Sequence, residues 1–484
     1  MRVAMVSYEV YPFAKVGGLA DVVGALPKYL ERQGVAVDIF MPYHKKVDEN
    51  AQKFGYVIEK VSEGIPVPHL LTDEKFDIYK TNLPGSKNVN VFLISNKYYF
   101  SADEVYAGPD LAEQAIFFSN AVLESVKRLN FSYDIIHVND WQTGLIPPYL
   151  KTLYRDDEVL SKVASVMTIH NLAYQGLYEP SYMKFAGLPE YLFNIDGLEF
   201  YGKMNFLKGG LIFSDVINTV SPTYAREIQT KEYGEKLDGV LRIRSSDLYG
   251  ILNGIDYEEY NPETDKRIYV NYNLQNIEKK RENKRMLQRE LGLPEKYVPV
   301  IGMINRLVVQ KGLDIIAEIM DYVSLFDIQF VLLGTGDKEY EDMFRKLGER
   351  YPDKYSINLK FDVVLAQKIY AGCDMFLMPS RYEPCGLGQM YSLRYGTIPI
   401  VRYTGGLADT VKEYNPQTGE GNGFGFEGFE SADLLKAIAK AIYYYQDKEH
   451  WERIIRNAMT TELSWDSSAK EYIKLYQRAK AKRQ

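Results

Sequence analysis

Short apolar runs rich in β-branched residues recur along the chain and alternate with stretches in which apolar residues stand three and four positions apart. Several runs are too uniformly apolar to have a solvated face, which is typical of strands covered on both sides in a parallel sheet. The stretches between them, such as Asp314–Val323 and Ala432–Tyr443, have the periodicity of helices. The runs predict strands at Val3–Ser7, Val35–Met41, Val89–Ile94, Asp134–Val138, Ala164–Ile169, Asp215–Val220, Leu248–Leu252, Val298–Ile304, Gln329–Leu333, Asp374–Met378 and Ile398–Val401.

This alternation predicts an α/β chain built from doubly wound sheets. Eleven or more strands are many for one open sheet, so we expect two sheets in two domains. The best candidate for a junction is 250–262, where a strand ends in an Asn-Gly-Ile-Asp turn and a strongly charged segment follows. We therefore predict one domain at 1–250 and another at 251–463. The amphipathic segment 464–484 can pack on either domain, and we assign it to the first.

Composition and charge exclude several classes of protein. With 65 acidic and 58 basic residues the net charge is −7, and no basic cluster indicates a nucleic-acid binder. The longest stretch without a charged residue, Val163–Tyr178, is shorter than the roughly 20 residues needed to span a membrane. Glu9 interrupts the first apolar run before the core of a signal peptide could form, so we expect a cytoplasmic protein.

The chain also lacks the usual residues of a metal site. Its two cysteines, Cys373 and Cys385, are too few for a disulfide framework or a cysteine-rich zinc site. None of its five histidines stands at the spacing of metal ligands, and no Asp-x-Asp pair occurs. We therefore expect no metal and no other cofactor.

Two nearly identical glycine loops occur, one in each half of the chain. Residues 17–23 read Gly-Gly-Leu-Ala-Asp-Val-Val and residues 405–411 read Gly-Gly-Leu-Ala-Asp-Thr-Val, each after a predicted strand and before a helix. Glycine lets a ligand approach the backbone, and a helix N-terminus attracts an anion. One such loop could be a tight turn and nothing more. Two of them suggest a cleft lined from both sides by phosphate-binding turns.

Three cations stand beside these turns. Lys15 precedes the first loop, and Arg306 and Lys311 follow the predicted strand Val298–Ile304. The planar fork of Arg and the point charge of Lys suit a diphosphate, although a surface salt bridge is the alternative for any one of them. No Gly-x-Gly-x-x-Gly fingerprint follows a predicted strand, and no phosphate-loop pattern occurs, so a nicotinamide dinucleotide and a P-loop nucleotide are both disfavoured.

Polar and aromatic clusters follow three other predicted strands. They are Asn139–Gln142, His170–Gly176 and Pro379–Gly388. For a lone His or Trp a structural role is commoner than a functional one. The last cluster holds Glu383 in a Pro-Cys-Gly turn at the start of a helix, where a rigid carboxylate is suited to accept hydrogen bonds from a hydroxyl-rich ligand.

Five blocks of sequence resemble the signature motifs of bacterial glycogen synthases and plant starch synthases, in the same order and spacing over nearly the whole chain. They are Lys15–Val22, Ile169–Gly176, Asn253–Asp256, Pro379–Leu387 and the segment from Arg394 to Val411. The resemblance implies a glycosyltransferase of GT-B architecture, with two doubly wound Rossmann-like domains facing a central cleft. It also implies transfer of glucose from ADP-glucose, with retention, to the 4-hydroxyl at the non-reducing end of an α-1,4-glucan such as glycogen.

The resemblance further implies roles for individual residues. His170 would lie beside the anomeric carbon, Arg306 and Lys311 would hold the diphosphate, and Glu383 would hold the glucose. The acceptor side would include Asp140, Trp141 and Tyr174. The donor would contact Lys15, Gly17, Gly18, Asn253, Cys385, Gly386, Leu387, Thr404, Gly405 and Gly406.

The mechanism expected from these residues is front-face substitution. Retention ordinarily suggests a carboxylate nucleophile, but the motifs offer no obvious candidate, since Glu383 is better explained as a hydroxyl binder. The departing phosphate oxygen would then take the acceptor's proton, and fixed positive charge at the leaving group would be the largest aid.

The chain departs from the family's motifs at three places. The block that is often His-x-His-Asp-Trp-His reads His-Val-Asn-Asp-Trp-Gln at 137–142, and the loop Tyr98–Gly108 lacks an expected Arg. Tyr391 stands eight residues after Glu383, where many related retaining transferases carry a second Glu. This last departure favours the glycogen and starch synthase branch.

Three alternatives remain open at this point. A related GT-B transferase could use UDP-glucose or another acceptor. A glucan phosphorylase shares the two-lobed architecture but needs a lysine that carries pyridoxal phosphate. A non-catalytic two-lobed sugar-binding protein would have no use for Lys15, Arg306 and Lys311 together.

Overall fold

The computed structural model of the chain describes residues 1–129 and 131–483. The chain forms two compact units, Met1–Gly254 with Trp465–Gln484, and Ile255–Ser464. The boundary predicted at 250/251 lies a few residues before this division. No helix of the described residues is long and apolar enough to cross a membrane.

The first unit is built around a large, mainly parallel sheet. Its strands are β1 (Arg2–Val6), β2 (Ala36–Pro42), β3 (Glu59–Pro66), β4 (Lys75–Asn82), β5 (Asn90–Ser95), β6 (Ile135–Asn139), β7 (Ala164–Ile169), β8 (Leu177–Tyr178), β9 (Glu199–Phe200), β10 (Lys203–Asn205), β11 (Val216–Thr219) and β12 (Leu248–Gly250). Nine of them form the large sheet in the order β12-β11-β7-β6-β1-β2-β5-β4-β3, and β8, β10 and β9 form a small antiparallel sheet. In the large sheet β3 and β4 run antiparallel at one edge.

Helices cover the strands of this unit. They are α1 (Gly18–Arg32), α2 (Lys45–Phe54), α3 (Leu111–Arg128), α4 (Ile146–Lys151), α5 (Tyr182–Phe185), α6 (Phe206–Phe213), α7 (Pro222–Glu227) and α8 (Asp238–Ile243). The longest, α3, begins at Asp110, whose side chain accepts the amides of Ala112 and Glu113 at 2.8 and 3.0 Å. This N-cap satisfies two amides that have no partner within the helix.

The second unit is a six-stranded parallel sheet. Its strands are β13 (Val300–Ile304), β14 (Gln329–Leu333), β15 (Tyr355–Asn358), β16 (Met375–Met378), β17 (Ile398–Arg402) and β18 (Phe424–Phe426), in the order β15-β14-β13-β16-β17-β18. Its helices are α9 (Lys280–Glu290), α10 (Leu313–Val323), α11 (Lys338–Arg350), α12 (Val363–Gly372), α13 (Gly388–Arg394), α14 (Gly405–Thr410), α15 (Ser431–Tyr445) and α16 (Lys448–Thr460).

The last helix, α17 (Trp465–Arg483), belongs to the first unit. Its apolar face is buried in the core of that unit. Two tyrosine hydroxyls also reach the sheet: Tyr476 lies 2.9 Å from Nδ1 of His137, and Tyr472 accepts from Asn218 at 3.1 Å. The helix is therefore held by apolar burial together with specific polar contacts.

Each sheet has a topological switch point, where the strands on the two sides of one central strand are reached by connections running in opposite directions. In the first unit β1 lies between β2 and β6, and in the second β13 lies between β14 and β16. Ligands of open α/β sheets bind outside the carboxyl ends of the strands at such switch points. Most of the predicted site residues follow β1, β6, β13 and β16.

All eleven predicted strands are present, with ends within one or two residues of those expected. The structure adds β3, β4, β15 and β18, which stand at or near sheet edges, and the small sheet. Strand β3 is mostly solvent-exposed, so its sequence has no apolar run to mark it, and β15 and β18 are short. The antiparallel pairing at the β3–β4 edge was therefore not indicated by the sequence pattern.

Candidate active site

The glycine loop before α1 is held by a carboxylate of the protein itself. The buried Glu9 follows β1, and its Oε2 accepts the amide of Gly17 at 2.8 Å and also the amide of Val16. Its Oε1 accepts the hydroxyl of Tyr106. The amides of Val16 and Gly17 therefore serve to fix the loop. A Cβ at Gly17 or Gly18 would meet no atom within 4 Å, so the space beside the loop is open.

Lys15 is the cation of this loop. Its ammonium lies 2.6 Å from the Asp21 carboxylate and 5.5 Å from the centre of the Tyr11 ring. The side chain is partly exposed, so a ligand phosphate can compete for it. An exposed pair of this kind contributes little to stability.

The turn after β6 brings a carboxylate under the backbone of the His170 loop. Asp140 has a positive φ of 57°, and its Oδ1 accepts the amide of His170 at 2.7 Å. Burial raises the pKa of the Asp140 carboxyl to about 7, although the amides of His170 and Asn171 favour its ionised form. The carboxyl is therefore poised to change charge near neutral pH.

The His170 ring is neutral and has a defined tautomer. Its Nε2 lies 2.9 Å from Oδ1 of Asn139, while Nδ2 of Asn139 donates to the Val6 carbonyl at 3.0 Å. Because that second bond fixes the amide orientation, Nε2 of His170 carries the proton and Nδ1 is an acceptor. Burial lowers the pKa of His170 to about 3. At neutral pH the ring can accept a hydrogen bond from a sugar hydroxyl, but it supplies no positive charge.

The predicted acceptor-side aromatics lie in different surroundings. Trp141 is only 9% exposed and packs against Tyr178 and Phe206. A Cβ at Gly176 would lie 2.4 Å from its ring. Tyr174, by contrast, is 55% exposed. Trp141 thus supports the loop from inside, whereas the Tyr174 ring is open to solvent.

Asn253 follows β12, at the end of the first unit. Its side chain is buried, and its Oδ1 has no hydrogen-bond partner among the described residues. Leaving a buried amide oxygen without a donor is unfavourable. A ligand donor group would satisfy it.

In the second unit, the loops after β13 and β16 are joined to each other. The amide of Arg381 donates to the Gln310 carbonyl at 2.9 Å, and the Gln310 side chain donates to the Tyr382 carbonyl at 3.2 Å. Gly312 has a φ of 73°, and a Cβ there would lie 2.1 Å from the Pro379 carbonyl oxygen. Only glycine allows this close approach.

These joined loops bring together Lys311 and Glu383, which are 72 positions apart in the chain. The Lys311 ammonium donates to Oε2 of Glu383 at 2.7 Å, and the Ser380 hydroxyl donates to the same oxygen at 2.9 Å. Glu383 is 7% exposed. Arg306 is exposed, and its guanidinium makes no hydrogen bond or ion pair with any other described residue. The site thus contains one neutralised cation and one free cation.

The second Gly-Gly pair packs against the turn that contains Glu383. A Cβ at Gly405 would lie 1.9 Å from the Glu383 carbonyl oxygen, and one at Gly406 would lie 2.0 Å from that of Cys385. The Gly406 amide donates to the carbonyls of Glu383 and Pro384 at 3.2 and 3.1 Å. At the Cβ positions of Gly405 and Gly406, the backbone that approaches closely is therefore the protein's own.

The rest of that turn is fixed locally. Gly386 has a φ of 70°, and the Gln389 side chain donates to the carbonyls of Cys385 and Gly386 at 3.0 Å each. Leu387 follows directly and precedes the first residue of α13, while Thr404 precedes α14. The predicted donor-binding residues of the second unit therefore form one rigid cluster.

Three features of the site escaped the sequence reasoning. Glu9 was used only to argue against a signal peptide. The Gly334-Thr335-Gly336 turn follows β14 and runs along the β13 loop, with the Leu307 amide donating to the Thr335 carbonyl at 2.9 Å. Phe361, 88% exposed, follows β15 at the same edge of the sheet. A Gly-x-Gly after a predicted strand was a signal for the second feature, whereas no sequence signal marked the exposure of Phe361.

Two family models match the chain. Residues 2–243 match the family model of the starch synthase catalytic domain, and residues 284–460 match that of glycosyl transferases group 1. A glycogen synthase of Fervidobacterium nodosum is 78% identical over 482 residues, covering 100% of this chain and 99% of that protein. The chain belongs to the glycogen and starch synthase family. A member from Thermotoga maritima is 67% identical over 484 residues, covering 100% of this chain and 99% of its own length.

Two solved structures agree with the fold. The catalytic domain of starch synthase IV from Arabidopsis thaliana, bound to ADP and acarbose, has a TM-score of 0.91 at 34% identity and covers 99% of both chains. Sucrose-phosphate synthase from Thermosynechococcus elongatus has a TM-score of 0.60 at 18% identity, which shows the fold alone. The prediction of a glycosyltransferase with two Rossmann-like domains of GT-B architecture is confirmed.

Membership of the family gives context to Tyr391. Its ring stacks on Tyr260 with centroids 3.9 Å apart and an interplanar angle of 16°. Tyr391 also packs against a core cluster of the second unit that includes Tyr370 and Phe376. Where related transferases carry a second Glu, this chain therefore has a packed aromatic ring.

Among the described residues, no group of three His, Cys, Asp or Glu side chains is arranged to hold a metal ion.

Proposed function

We propose that this protein is a glycogen synthase that transfers glucose from ADP-glucose to the non-reducing end of an α-1,4-glucan with retention of configuration. The observation that carries the proposal is the cluster of Arg306, Lys311 and Glu383 at the switch point of the second sheet. The names of the bacterial relatives and the ADP and acarbose bound by the Arabidopsis neighbour support the same substrates.

Donor binding is assigned to the carboxyl edge of the second sheet. The free guanidinium of Arg306 and the ammonium of Lys311 meet the diphosphate. Lys311 uses one N–H on Glu383 and has two left for phosphate oxygens. The exposed ring of Phe361 at this edge offers a flat face for the adenine. No metal or other cofactor takes part in this proposal, since the protein's own cations neutralise the leaving group.

The glucose is held by Glu383. Both hydrogen bonds that its carboxylate accepts from described residues reach Oε2, so Oε1 is available to accept from a sugar hydroxyl. The Lys311 contact fixes the position of the carboxylate. A carboxylate used in this way is a binding group rather than a nucleophile.

The chemical step is a front-face substitution at the anomeric carbon. The bond from this carbon to the β-phosphate oxygen breaks, and a bond to the acceptor 4-hydroxyl oxygen forms on the same face. The acceptor's proton passes to the departing phosphate oxygen. Charge develops on that phosphate, and preorganised cations are worth most there. His170, being neutral, accepts from a sugar hydroxyl, and Tyr174 and Asp140 contribute to the acceptor side.

The test compares donors. The protein is incubated with glycogen and radiolabelled ADP-glucose or UDP-glucose in the presence of a chelator, and incorporation into glycogen is measured. We expect incorporation from ADP-glucose, with product that is fully degraded by an enzyme specific for α-1,4-linkages. Faster incorporation from UDP-glucose would support the alternative of a related transferase. No incorporation from either donor would support a sugar-binding protein.

A further inference from the structure

A cavity lies in the second unit, at the edge of the sheet opposite the candidate site. Its volume is about 800 Å³, and it is lined by residues just before β13 and β16, such as Tyr297 and Asp374. The site residues Arg306 and Glu383 follow the other ends of these strands. Five residues of extended chain span about 17 Å, so the cavity is separate from the donor-binding edge.

Two helices form facing walls of this cavity. On each of them, the lining residues are spaced three and four apart and so share one helix face. On α9 they are Lys280, Arg281, Lys284, Arg285 and Gln288, and on α16 they are Lys448, Trp451, Glu452, Ile455 and Arg456.

Part of the charge in the cavity is neutralised within the protein. Lys284 lies 2.7 Å from Asp374, Arg285 lies 3.2 Å from Glu295, and Lys448 lies 3.7 Å from Glu452. The Lys280 ammonium is buried and donates to two carbonyls and to Thr397. These groups build the floor and walls.

Three exposed cations have no carboxylate partner among the described residues. They are Arg281, Lys296 and Arg456, which come from α9, from the segment before β13 and from α16. Glu278 is the remaining unpaired carboxylate of the lining. The cavity therefore has a surplus of positive charge that comes from three separate elements of structure.

An exposed aromatic ring stands among these cations. Tyr297 is 72% exposed, and its ring centre lies 5.8 Å from the Arg281 guanidinium and 5.6 Å from the Lys284 ammonium. The Tyr445 ring lies 6.1 Å away. A ring with one open face, beside free guanidinium groups, suits a ligand with both a planar or apolar part and an anionic part.

We propose that this cavity binds a phosphate-bearing small molecule, a phosphomonoester of a sugar or a nucleoside. Arg281, Lys296 and Arg456 meet the phosphate, and the Tyr297 ring covers the organic part. Guanidinium groups match phosphate oxygens in pairs, which is why two arginines on facing helices favour phosphate over a neutral glucan.

The test is calorimetric titration of the full chain with three probes: inorganic phosphate, glucose 6-phosphate and adenosine monophosphate. The Arg306→Ala, Lys311→Ala double variant serves as background, because it removes the phosphate-binding cations of the donor edge. We expect saturable binding of at least one ester to persist in this background. Adding Arg281→Ala and Arg456→Ala should weaken that binding at least tenfold.

Control variants distinguish the loss of a phosphate-binding charge from a loss of folding. Arg345→Ala removes an exposed, paired arginine on α11 and should leave binding unchanged. Arg281→Lys with Arg456→Lys should retain part of the affinity, and Lys296→Ala alone provides a milder variant if the double alanine variant unfolds. Tyr297→Ala should weaken the esters and spare inorganic phosphate. Binding that disappears in the donor-edge background, or that is unaffected by the Arg281 and Arg456 variants, overturns the proposal, as does the absence of binding by any probe.

Discussion

The Lys311 ammonium lies 2.7 Å from the Glu383 carboxylate, across the two loops that follow β13 and β16. We had expected these residues to serve different parts of the donor, the diphosphate and the glucose. The ion pair joins the two subsites, so each residue fixes the position of the other. Removing one partner of a buried pair leaves an uncompensated charge, which typically costs about 3–5 kcal/mol.

Because Lys311 belongs to this ion pair and Arg306 does not, replacing the two cations should have different effects. Arg306→Ala and Lys311→Ala should each lower kcat by two or more orders of magnitude, because a donor to developing charge contributes about 2.7–4 kcal/mol. Only Lys311→Ala should also lower the melting temperature, since Arg306 makes no ion pair with the described residues. Steady-state kinetics and thermal denaturation of both variants measure this difference.

Arg345→Ala serves as the control, because it removes an exposed arginine remote from the donor edge in sequence and should change neither quantity. A rise in KM with kcat intact in the Arg306 variant would show that this cation binds only the ground state.

The carboxylate of Glu9 leads to a prediction about the loop before α1. Glu9→Ala removes the acceptor of the Val16 and Gly17 amides, and hydrogen bonds to a charged group contribute about 1.5–3 kcal/mol. We expect faster hydrogen exchange at residues 15–18 and a higher KM for the donor. Glu9→Gln keeps one oxygen for the amides and should be milder.

Tyr106→Phe provides the comparison for Glu9, because it removes only the hydroxyl that donates to Oε1. It should change loop exchange less than Glu9→Ala does. Equal exchange at residues 15–18 in the wild type and in Glu9→Ala would show that the carboxylate does not order the loop.

The sequence predicts the buried strands well but not the exposed strand at the sheet edge. Uniformly apolar runs marked β13, β16 and the other buried strands, because burial on both faces leaves no polar position. The exposed β3, with residues such as Glu59 and Glu63, carries no such pattern. Its strand character comes from pairing with β4 rather than from its own sequence.

The contacts within the candidate site could not be predicted from the sequence. Short motifs placed Lys311 and Glu383 at strand ends, yet nothing in the sequence pairs residues 72 positions apart. The two Gly-Gly loops illustrate the same limit. Their nearly identical sequences indicated the same role for both loops. In the structure, however, the Gly17 amide donates to a buried carboxylate, whereas Gly405 makes room for a neighbouring turn.

The raised pKa of Asp140 predicts a pH-dependent difference in stability. Its pKa is about 7 in the folded protein and near 3.8 in the unfolded chain, so the folded state binds more protons between these values. The contribution of this carboxyl to stability is therefore fully present below about pH 4 and is lost as pH rises through 7. Asp140→Asn removes the titration, and Asn tolerates the positive φ at this position.

The measurement for Asp140 is the melting temperature of the wild type and of Asp140→Asn between pH 5 and 8. The wild type should lose stability relative to the variant as pH rises. Asp342→Asn, at a partly exposed position on α11, should give a curve parallel to the wild type. Parallel curves for Asp140→Asn as well would contradict the assignment.

The exposed ring of Phe361 predicts a selective loss of nucleotide affinity. A base stacked on an aromatic side chain contributes about 1–3 kcal/mol, so Phe361→Ala should raise the Kd for ADP about tenfold or more. Phe361→Tyr should keep most of the affinity, and kcat at saturating donor should change little. The same Kd for ADP in the wild type and in Phe361→Ala would place the adenine elsewhere.

Variants of Glu383 distinguish a sugar-binding carboxylate from a nucleophile. Its Oε2 is engaged by Lys311 and Ser380, so Glu383→Gln keeps an oxygen for hydrogen bonding and should retain measurable activity. Glu383→Ala should lose much more, because it removes every contact and leaves Lys311 unpaired; a charged hydrogen bond of about 1.5–3 kcal/mol corresponds to tenfold to some hundredfold. A nucleophile would behave differently. Both variants would then be equally inactive, azide would restore turnover to Glu383→Ala with a product of inverted configuration, and mass spectrometry would detect a glucosyl group on Glu383. Any of these three results would replace front-face substitution by a double displacement.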